Sequence, residues 1–353
     1  MPLSVADLPK TVRDAVRGGI VIPAHPLALT PERTLDARRQ RALSRYYIDA
    51  GAGGLAVGVH TTQFAIREAG LYEPVLKLAH ASAQEWTDRP LALIAGVIGK
   101  TAQAVREADL AVGLGYHAGL LSLAAMRGAG EGDLIAHCRA VAARIPLFGF
   151  YLQPAVGGIA LSARFWRRFA ELDNVIGIKI APFSRYHTLD VVRGVIDARA
   201  EGRVTLYTGN DDHIVLDLIT PFALKRGDEE VSVRIRGGLL GHWSVWTKAA
   251  VELHARCRAA AARNTIDAGL MALDAKVTDC NAAVFDVANQ FHGVIAGCHE
   301  VLRRQGLLAG IWCLDPNEGL SPGQAAEIDR VSRAYPELTD DAFVAENFER
   351  WLA

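Results

Sequence analysis

Leu147-Phe-Gly-Phe-Tyr151 and Val175-Ile-Gly-Ile-Lys179-Ile180 are two short apolar runs of strand character. Between them, Leu161-Ser-Ala-Arg-Phe-Trp-Arg-Arg-Phe-Ala-Glu-Leu172 places Leu161, Phe165, Phe169 and Leu172 on one helical face and arginines on the other, with Ser162 as the N-cap. The three segments form a strand, helix, strand unit. Parallel strands joined by such a crossover carry their C-terminal ends to one edge of the sheet. The unit therefore predicts that Tyr151 and Lys179 stand side by side at that edge.

The same theme runs outward in both directions. Upstream, Gly18–Pro23, Gly53–Val59, Leu91–Ala95 and Ala118–Leu123 read as strands, each followed by an amphipathic helix, the first of them Ala37–Ala50. Downstream come Val204–Thr208 and Arg236–Leu240, with helices over Tyr186–Ala200, Asp212–Ile219 and Ser244–Ala262. Eight strand-then-helix units specify an α/β fold, a (β/α)8 TIM barrel over residues 1–262. From 263 to 353 the pattern changes to helices alone, over Asn264–Ala275, Asn281–Arg304, Pro322–Tyr335 and Asp340–Leu352. These form a C-terminal all-helical extension, with no Pro/Gly/Ser-rich linker to detach it. Leu224–Glu230 reads as a charged surface excursion.

Composition narrows the partners. The chain has 353 residues, 38 basic against 39 acidic, and half of them hydrophobic. A balanced charge gives no electrostatic case for nucleic acid or an anionic membrane, so a small-molecule ligand is expected. The start, Met1-Pro-Leu-Ser-Val-Ala-Asp, does not resemble a secretory signal, and a cytoplasmic location is expected. Five scattered cysteines, Cys138, Cys257, Cys280, Cys298 and Cys313, show no C-x-x-C spacing, and the strand ends lack a convergent His and carboxylate set. Neither a metal nor another cofactor is expected. Helical packing accounts for Cys298-His299 near His292.

In a barrel the chemistry sits at the C-terminal ends of the strands. That face receives Thr61-Thr62, Tyr151, Lys179, Gly209-Asn-Asp-Asp212 and His242-Trp-Ser244, while His117 and Asp173 fall to the other face. A lysine closing an apolar strand is costly to bury, and desolvation pushes it toward the neutral amine, a nucleophile. Attack on a 2-oxo acid would give an iminium that draws electrons from the neighbouring carbon, with a tyrosine hydroxyl as proton relay. The competing reading is a lysine snorkelling from a strand end beside a core tyrosine.

Nearly the whole chain resembles the dihydrodipicolinate synthase and N-acetylneuraminate lyase family of Schiff-base barrel enzymes. The matches are Val59-His-Thr61-Thr62, Tyr151-Leu-Gln-Pro154 for the family's Tyr-x-x-Pro, Gly177-Ile-Lys179 for its Gly-x-Lys, and Leu302-Arg-Arg-Gln-Gly306-Leu followed by Leu320-Ser-Pro in the tail. The resemblance implies that Lys179 forms the imine with pyruvate or a related 2-oxo acid and that Tyr151 shuttles protons. It implies that Thr61 and Thr62 hold the carboxylate, and that Gly209 and Asp211 line the wall for the distal part of the substrate. For Asp211 and Asp212 helix capping competes, and for Thr62 a turn hydroxyl satisfying its own backbone. A homo-oligomer, dimer or tetramer, is implied as well.

The departures from the family pattern bear on the substrate. Leu123-Ala-Ala-Met126 stands where the synthases have Pro-Tyr-Tyr, Val156 where they have the arginine for the second substrate's carboxylate, Phe64 for an acidic residue, and Ile180-Ala181 for a polar pair. Dihydrodipicolinate synthesis is therefore not expected. The expectation is a class I aldolase or lyase with a less polar aldehyde partner, and with Phe64, Met126 and Trp243 as wall residues or else core. The alternatives are a sugar-acid dehydratase using the same imine and a degenerate barrel that only binds a ligand.

Overall fold

A computed structural model describes residues 2–353. Eight parallel strands run in the order β1 (Val21–Pro23), β10 (Ile235–Leu240), β7 (Thr205–Thr208), β6 (Val175–Ala181), β5 (Leu147–Leu152), β4 (Ala118–Leu121), β3 (Ala92–Val97) and β2 (Gly54–Val57). A bridge between Ala24 and Ala56 joins the two ends, with the His25 N–H donating to the Ala56 carbonyl at 2.8 Å. This is the expected TIM barrel, followed by a C-terminal helical region.

Helices fill the crossovers: α2 (Ala37–Ala50), α3 (Tyr72–Trp86), α4 (Thr101–Gly113), α5 (Glu131–Ala142), α6 (Ala163–Ala170), α7 (Arg185–Asp197), α8 (Ile214–Ile219) and α9 (Thr247–Arg263). Ser162 caps α6 as expected, its hydroxyl accepting from the Phe165 N–H at 3.1 Å, and Leu161, Phe165, Phe169 and Leu172 are buried. Gly149, on the outer face of β5, lets α6 approach, because a Cβ there would lie 2.7 Å from the Phe169 ring.

Two apolar layers result. The large one lies between the strands and the helices, and includes Tyr151, Ile178 and Ile180. The smaller one fills the barrel with Ile22, Ile94, Leu120, Phe148, Phe150, Ile176 and Tyr207. Its lower end is closed by α1 (Lys10–Gly18), an element with no counterpart in the sequence reading. Val12 and Val16 of α1 join the inner layer, and the Tyr207 hydroxyl donates to the Val16 carbonyl at 2.7 Å. The charged excursion at Leu224–Glu230 is an antiparallel hairpin, β8 (Phe222–Arg226) and β9 (Glu229–Val233), turned at Gly227 with φ +62°.

The tail comprises α10 (Ala268–Val284), α11 (Val294–Arg304), α12 (Gln324–Ala334) and α13 (Asp341–Leu352). Asp274 of α10 caps α8, its Oδ1 accepting from the Val215 and Leu216 N–H groups at 3.0 and 3.1 Å. The continuous helix expected over Asn281–Arg304 is instead broken between α10 and α11. Asp286, Gln290 and Phe291 there adopt φ of 58°, 55° and 67°. The Asp286 carboxylate holds the break, accepting from Ser321 Oγ at 2.5 Å, Asn289 Nδ2 at 2.6 Å and the Gly293 N–H at 3.0 Å. The residues that take the left-handed backbone are neither proline nor glycine, Gly293 coming only at the start of α11, and the consequence of the break is that Phe285 and Phe291 face the barrel mouth.

Candidate active site

A cavity of about 60 Å³ opens at the C-terminal ends of the strands. Ala24, Val59, Ala181, Gly209 and Gly241 form its floor at the ends of β1, β2, β6, β7 and β10, and the lysine of β6 enters from the side. A wider recess, about 510 Å³, lies at the opposite end of the barrel between the hairpin and the starts of β7 and β10. It is lined by Arg17, Glu201, Arg234 and Arg236 among others, with no lysine, cysteine or histidine, and is remote from Lys179.

Lys179 is 7% exposed and its ammonium nitrogen lies 4.5 Å from the centroid of the Phe150 ring. It forms no ion pair or hydrogen bond among the described residues, so burial dominates and pushes the amine below the ordinary lysine range, with the negative charge of Asp211 opposing. Asp211 is 5% exposed and shifted the other way, its carboxyl pushed up by burial against the pull of Lys179. Gly209 has to be glycine. A Cβ at that position would lie 2.7 Å from Lys179 Cε and 2.8 Å from Ala181 Cβ.

Tyr151 does not stand beside Lys179. The strands begin in the register that would place it there, Leu147 opposite Val175, but the next pair is Phe148 with Gly177, so Ile176 is an extra residue on β6. Beyond that irregularity Phe150 pairs with Lys179 and Tyr151 with Ile180. The extra residue on β6 reverses the alternation of side chains there and turns Lys179 inward, beside Phe150. β5 alternates without interruption, so Tyr151 shares the outer face of Leu147 and Gly149 and its phenol lies in the helix layer. There it bonds His187 Nδ1 at 2.7 Å and the Leu161 carbonyl at 3.2 Å, accepts from the Leu161 N–H at 3.1 Å, and packs against Trp166. The local signal for the slip is Gly177, a glycine within the strand where a Cβ would lie 2.6 Å from the Phe148 ring.

Thr61 reaches the cavity, its hydroxyl donating to the Ala24 carbonyl at 2.8 Å. Thr62 does not. Its hydroxyl donates to the His25 carbonyl at 2.6 Å and accepts from the Gly58 and Val59 N–H groups, so it staples the turn. That places Thr62 in the turn role and away from a ligand. Asp211 is no helix cap either, since its Oδ1 accepts from the His242 N–H at 3.0 Å and aligns the loops after β7 and β10. Asp212 is exposed.

Of the expected wall residues, Phe64, Met126 and Trp243 are absent from the lining; Trp243 is 1% exposed, its ring packed on Gly238 and His254. The aromatic wall is built from Phe150, Phe183, Phe285 and Phe291, with Phe183 and Phe291 in edge contact at 5.9 Å between centroids. Phe183 is held at φ 51° by Asn210, whose Oδ1 accepts from the Phe183 N–H at 3.0 Å. Asn210 is in turn fixed by the fully buried Asp217, which also accepts from Thr208 and pairs with Arg185 at 2.5 Å. His60 and Gln153 complete the polar lining, and the sequence marks His60 only as part of the loop after the second strand. His60 is held down to about 4 by burial and by the charge of Lys179, and so is a neutral imidazole. Val156 lies in the cavity wall, and no arginine lines it.

No protein-family model matches the chain, nor does any curated protein sequence. Solved structures do. The dihydrodipicolinate synthase from Aquifex aeolicus superposes with a TM-score of 0.73 at 17% identity, covering 91% of this chain and 99% of that one. The chain has the dihydrodipicolinate synthase fold. The chloride-inhibited dihydrodipicolinate synthase from Acinetobacter baumannii complexed with pyruvate matches at TM-score 0.72 and 20% identity, over 92% and 99% of the two chains. CdNal from Clostridium difficile, in complex with mannosamine, matches at 0.72 and 15%, over 90% and 99%. At these identities the likeness establishes the fold; the dihydrodipicolinate synthase fold here carries a phenylalanine in register with its buried lysine.

Among the described residues, no three His, Cys, Asp or Glu side chains gather into a metal-binding group, all five cysteines are free and buried, and no helix is long and apolar enough to cross a membrane.

Proposed function

We propose that this chain is a class I lyase or aldolase in which Lys179 forms a Schiff base with pyruvate or a related 2-oxo acid, and that C–C bond cleavage or formation follows. The observation that carries the reading is an unpaired, desolvated amine opening into a cavity at the strand ends. A lysine placed there for charge alone would be expected to have a close carboxylate partner or a path to water. The neutral amine attacks the 2-oxo carbon, water leaves, and the protonated imine becomes the electron sink for the adjacent bond. Thr61 is the residue of the pair left to meet the carboxylate, at the start of a single helical turn whose first N–H groups have no partner within the turn.

The second substrate in this reading is an apolar aldehyde. Four phenylalanines and Val156 line the cavity that Lys179 enters, and a carboxylate on the partner would find no bidentate cation among the lining residues. That disfavours dihydrodipicolinate synthesis. Loss of water from a sugar acid through the same imine fits the lysine but not the dry wall. A barrel that binds a ligand without turnover is favoured by the outward Tyr151 and disfavoured by the open amine. The proposal extends to a homo-oligomer, supported by the exposed apolar Tyr186 and Leu189 on α7, and light scattering of the purified chain tests it.

Borohydride reduction in the presence of pyruvate, 2-oxobutyrate or 2-oxoglutarate tests the central claim. The expected result is a fixed mass added at Lys179 and absent from Lys179→Ala. No adduct with any of the three would remove the proposal.

A further inference from the structure

We infer that Asp211 is the catalytic acid and base of the Lys179 site, in the role that a phenol would otherwise take. The inference rests on the Schiff-base reading above and goes beyond it by assigning the proton carrier. Imine chemistry needs one: the carbinolamine hydroxyl must leave as water, and a proton must move to or from the carbon beside the imine. Tyr151 cannot serve, because its hydroxyl is engaged behind the sheet by His187 and Leu161. The position in register with the lysine is Phe150, which has no proton to give.

The remaining cavity groups are few. Thr61 donates its hydroxyl proton to Ala24, and Gln153 does not titrate. That leaves His60 and Asp211. His60 is a poor acid at neutral pH, being held as the neutral ring by burial and by Lys179. Asp211 has the geometry: Oδ1 is fixed by the His242 N–H, whereas Oδ2 has no partner among the described residues and opens into the cavity. Gly209, two residues before it, brings the backbone against Lys179 Cε. Burial and the neighbouring Asp212 favour the protonated carboxyl, and Lys179 and the His242 N–H favour the carboxylate, so both forms are accessible near neutrality. The other titratable groups around it are His60, the neutral His242, and Cys298, whose buried thiol stays protonated.

Lys179 adds to the 2-oxo carbon; protonated Asp211 gives its proton to the hydroxyl, which departs as water, leaving the imine and a carboxylate. With a 4-hydroxy-2-oxo acid bound, that carboxylate takes the 4-hydroxyl proton, the C3–C4 bond breaks, its electron pair enters the imine to give the enamine, and the aldehyde leaves. Asp211 then returns the proton to C3, and one water hydrolyses the imine, restoring Lys179 and the 2-oxo acid.

The test is methyl-proton exchange of pyruvate in deuterated buffer, followed by proton NMR, together with borohydride trapping. Asp211→Asn keeps an acceptor for the His242 N–H. It should lose about 10²–10⁴-fold in exchange rate, while prolonged borohydride incubation still labels Lys179. Asp211→Glu should recover part of the rate. The wild-type exchange should fall on both sides of neutral pH, and the alkaline limb should be missing from the rate that remains in Asp211→Asn. If Asp211→Asn does not fold, a wild-type profile that rises to a plateau at alkaline pH overturns the inference. It is also overturned if Asp211→Asn exchanges within threefold of wild type, or if His60→Gln shows the large loss in its place. Absence of any wild-type adduct would instead sink the Schiff-base reading itself.

Discussion

Phe150 faces Lys179 across β5 and β6, its ring centroid 4.5 Å from the amine, while Tyr151 lies in register with Ile180 on the other face of the sheet. An aromatic face attracts a cation weakly and offers a neutral amine an apolar neighbour. The pair therefore lowers the polarity of the site and supplies no proton.

Tyr151→Phe is expected to leave borohydride labelling and pyruvate exchange within about threefold of wild type. It should cost about 1 kcal/mol of stability, through the lost bonds to His187 and Leu161. Thermal unfolding and the exchange assay check the two halves. A rate loss of several hundredfold would return the phenol to the site.

Lys179→Met should abolish adduct formation and reduce turnover on the order of 10⁶-fold, as when a covalent nucleophile is removed. It should also raise the melting temperature. For a lysine lowered on folding, the unfolded chain binds more protons than the native one between about 8 and 10.5, so native stability rises with pH across that window. The stability advantage of Lys179→Met should thus be largest below about pH 8 and shrink above it. A gap independent of pH would mean that the amine is not desolvated.

Phe291→Ala should lower kcat/KM for an aromatic aldehyde about 10–200-fold relative to that for acetaldehyde, because an apolar pocket discriminates by roughly 1–3 kcal/mol per lost contact. Steady-state kinetics with the two aldehydes checks the ratio. Equal losses for both would place Phe291 outside the specificity wall.

Asp217→Ala removes the acceptor shared by Arg185, Thr208 and Asn210 and frees Phe183 from its φ of 51°. A cost of about 2–3 kcal/mol is expected for leaving buried donors unsatisfied. Chemical denaturation measures it, and imine trapping should survive in the folded fraction, since Asp217 does not line the cavity.

Much of the barrel was legible because each unit carries its own periodic signal. The α2 bounds, Ala37–Ala50, and the Ser162 cap follow from local patterning. The helix break at Phe285–Gly293 was not, since the left-handed backbone at Asp286, Gln290 and Phe291 is held through the Asp286 carboxylate, which accepts from Ser321 far along the chain as well as from Gly293. For the same reason the aromatic wall, expected at Phe64, Met126 and Trp243, comes instead from β5, from Phe183 after β6 and from the tail. The α1 plug escaped because its apolar residues answer to the barrel interior rather than to an adjacent strand.

The linear order of apolar runs and helical faces determined that this chain closes eight parallel strands with a lysine at the end of the sixth, since burial periodicity is written residue by residue. Which aromatic ring meets that lysine was decided only in three dimensions. A single unpaired residue, Ile176, shifts the β5–β6 register by one, and with a side-chain period of two that shift turns Lys179 into the barrel, where it meets Phe150 of β5 and not Tyr151.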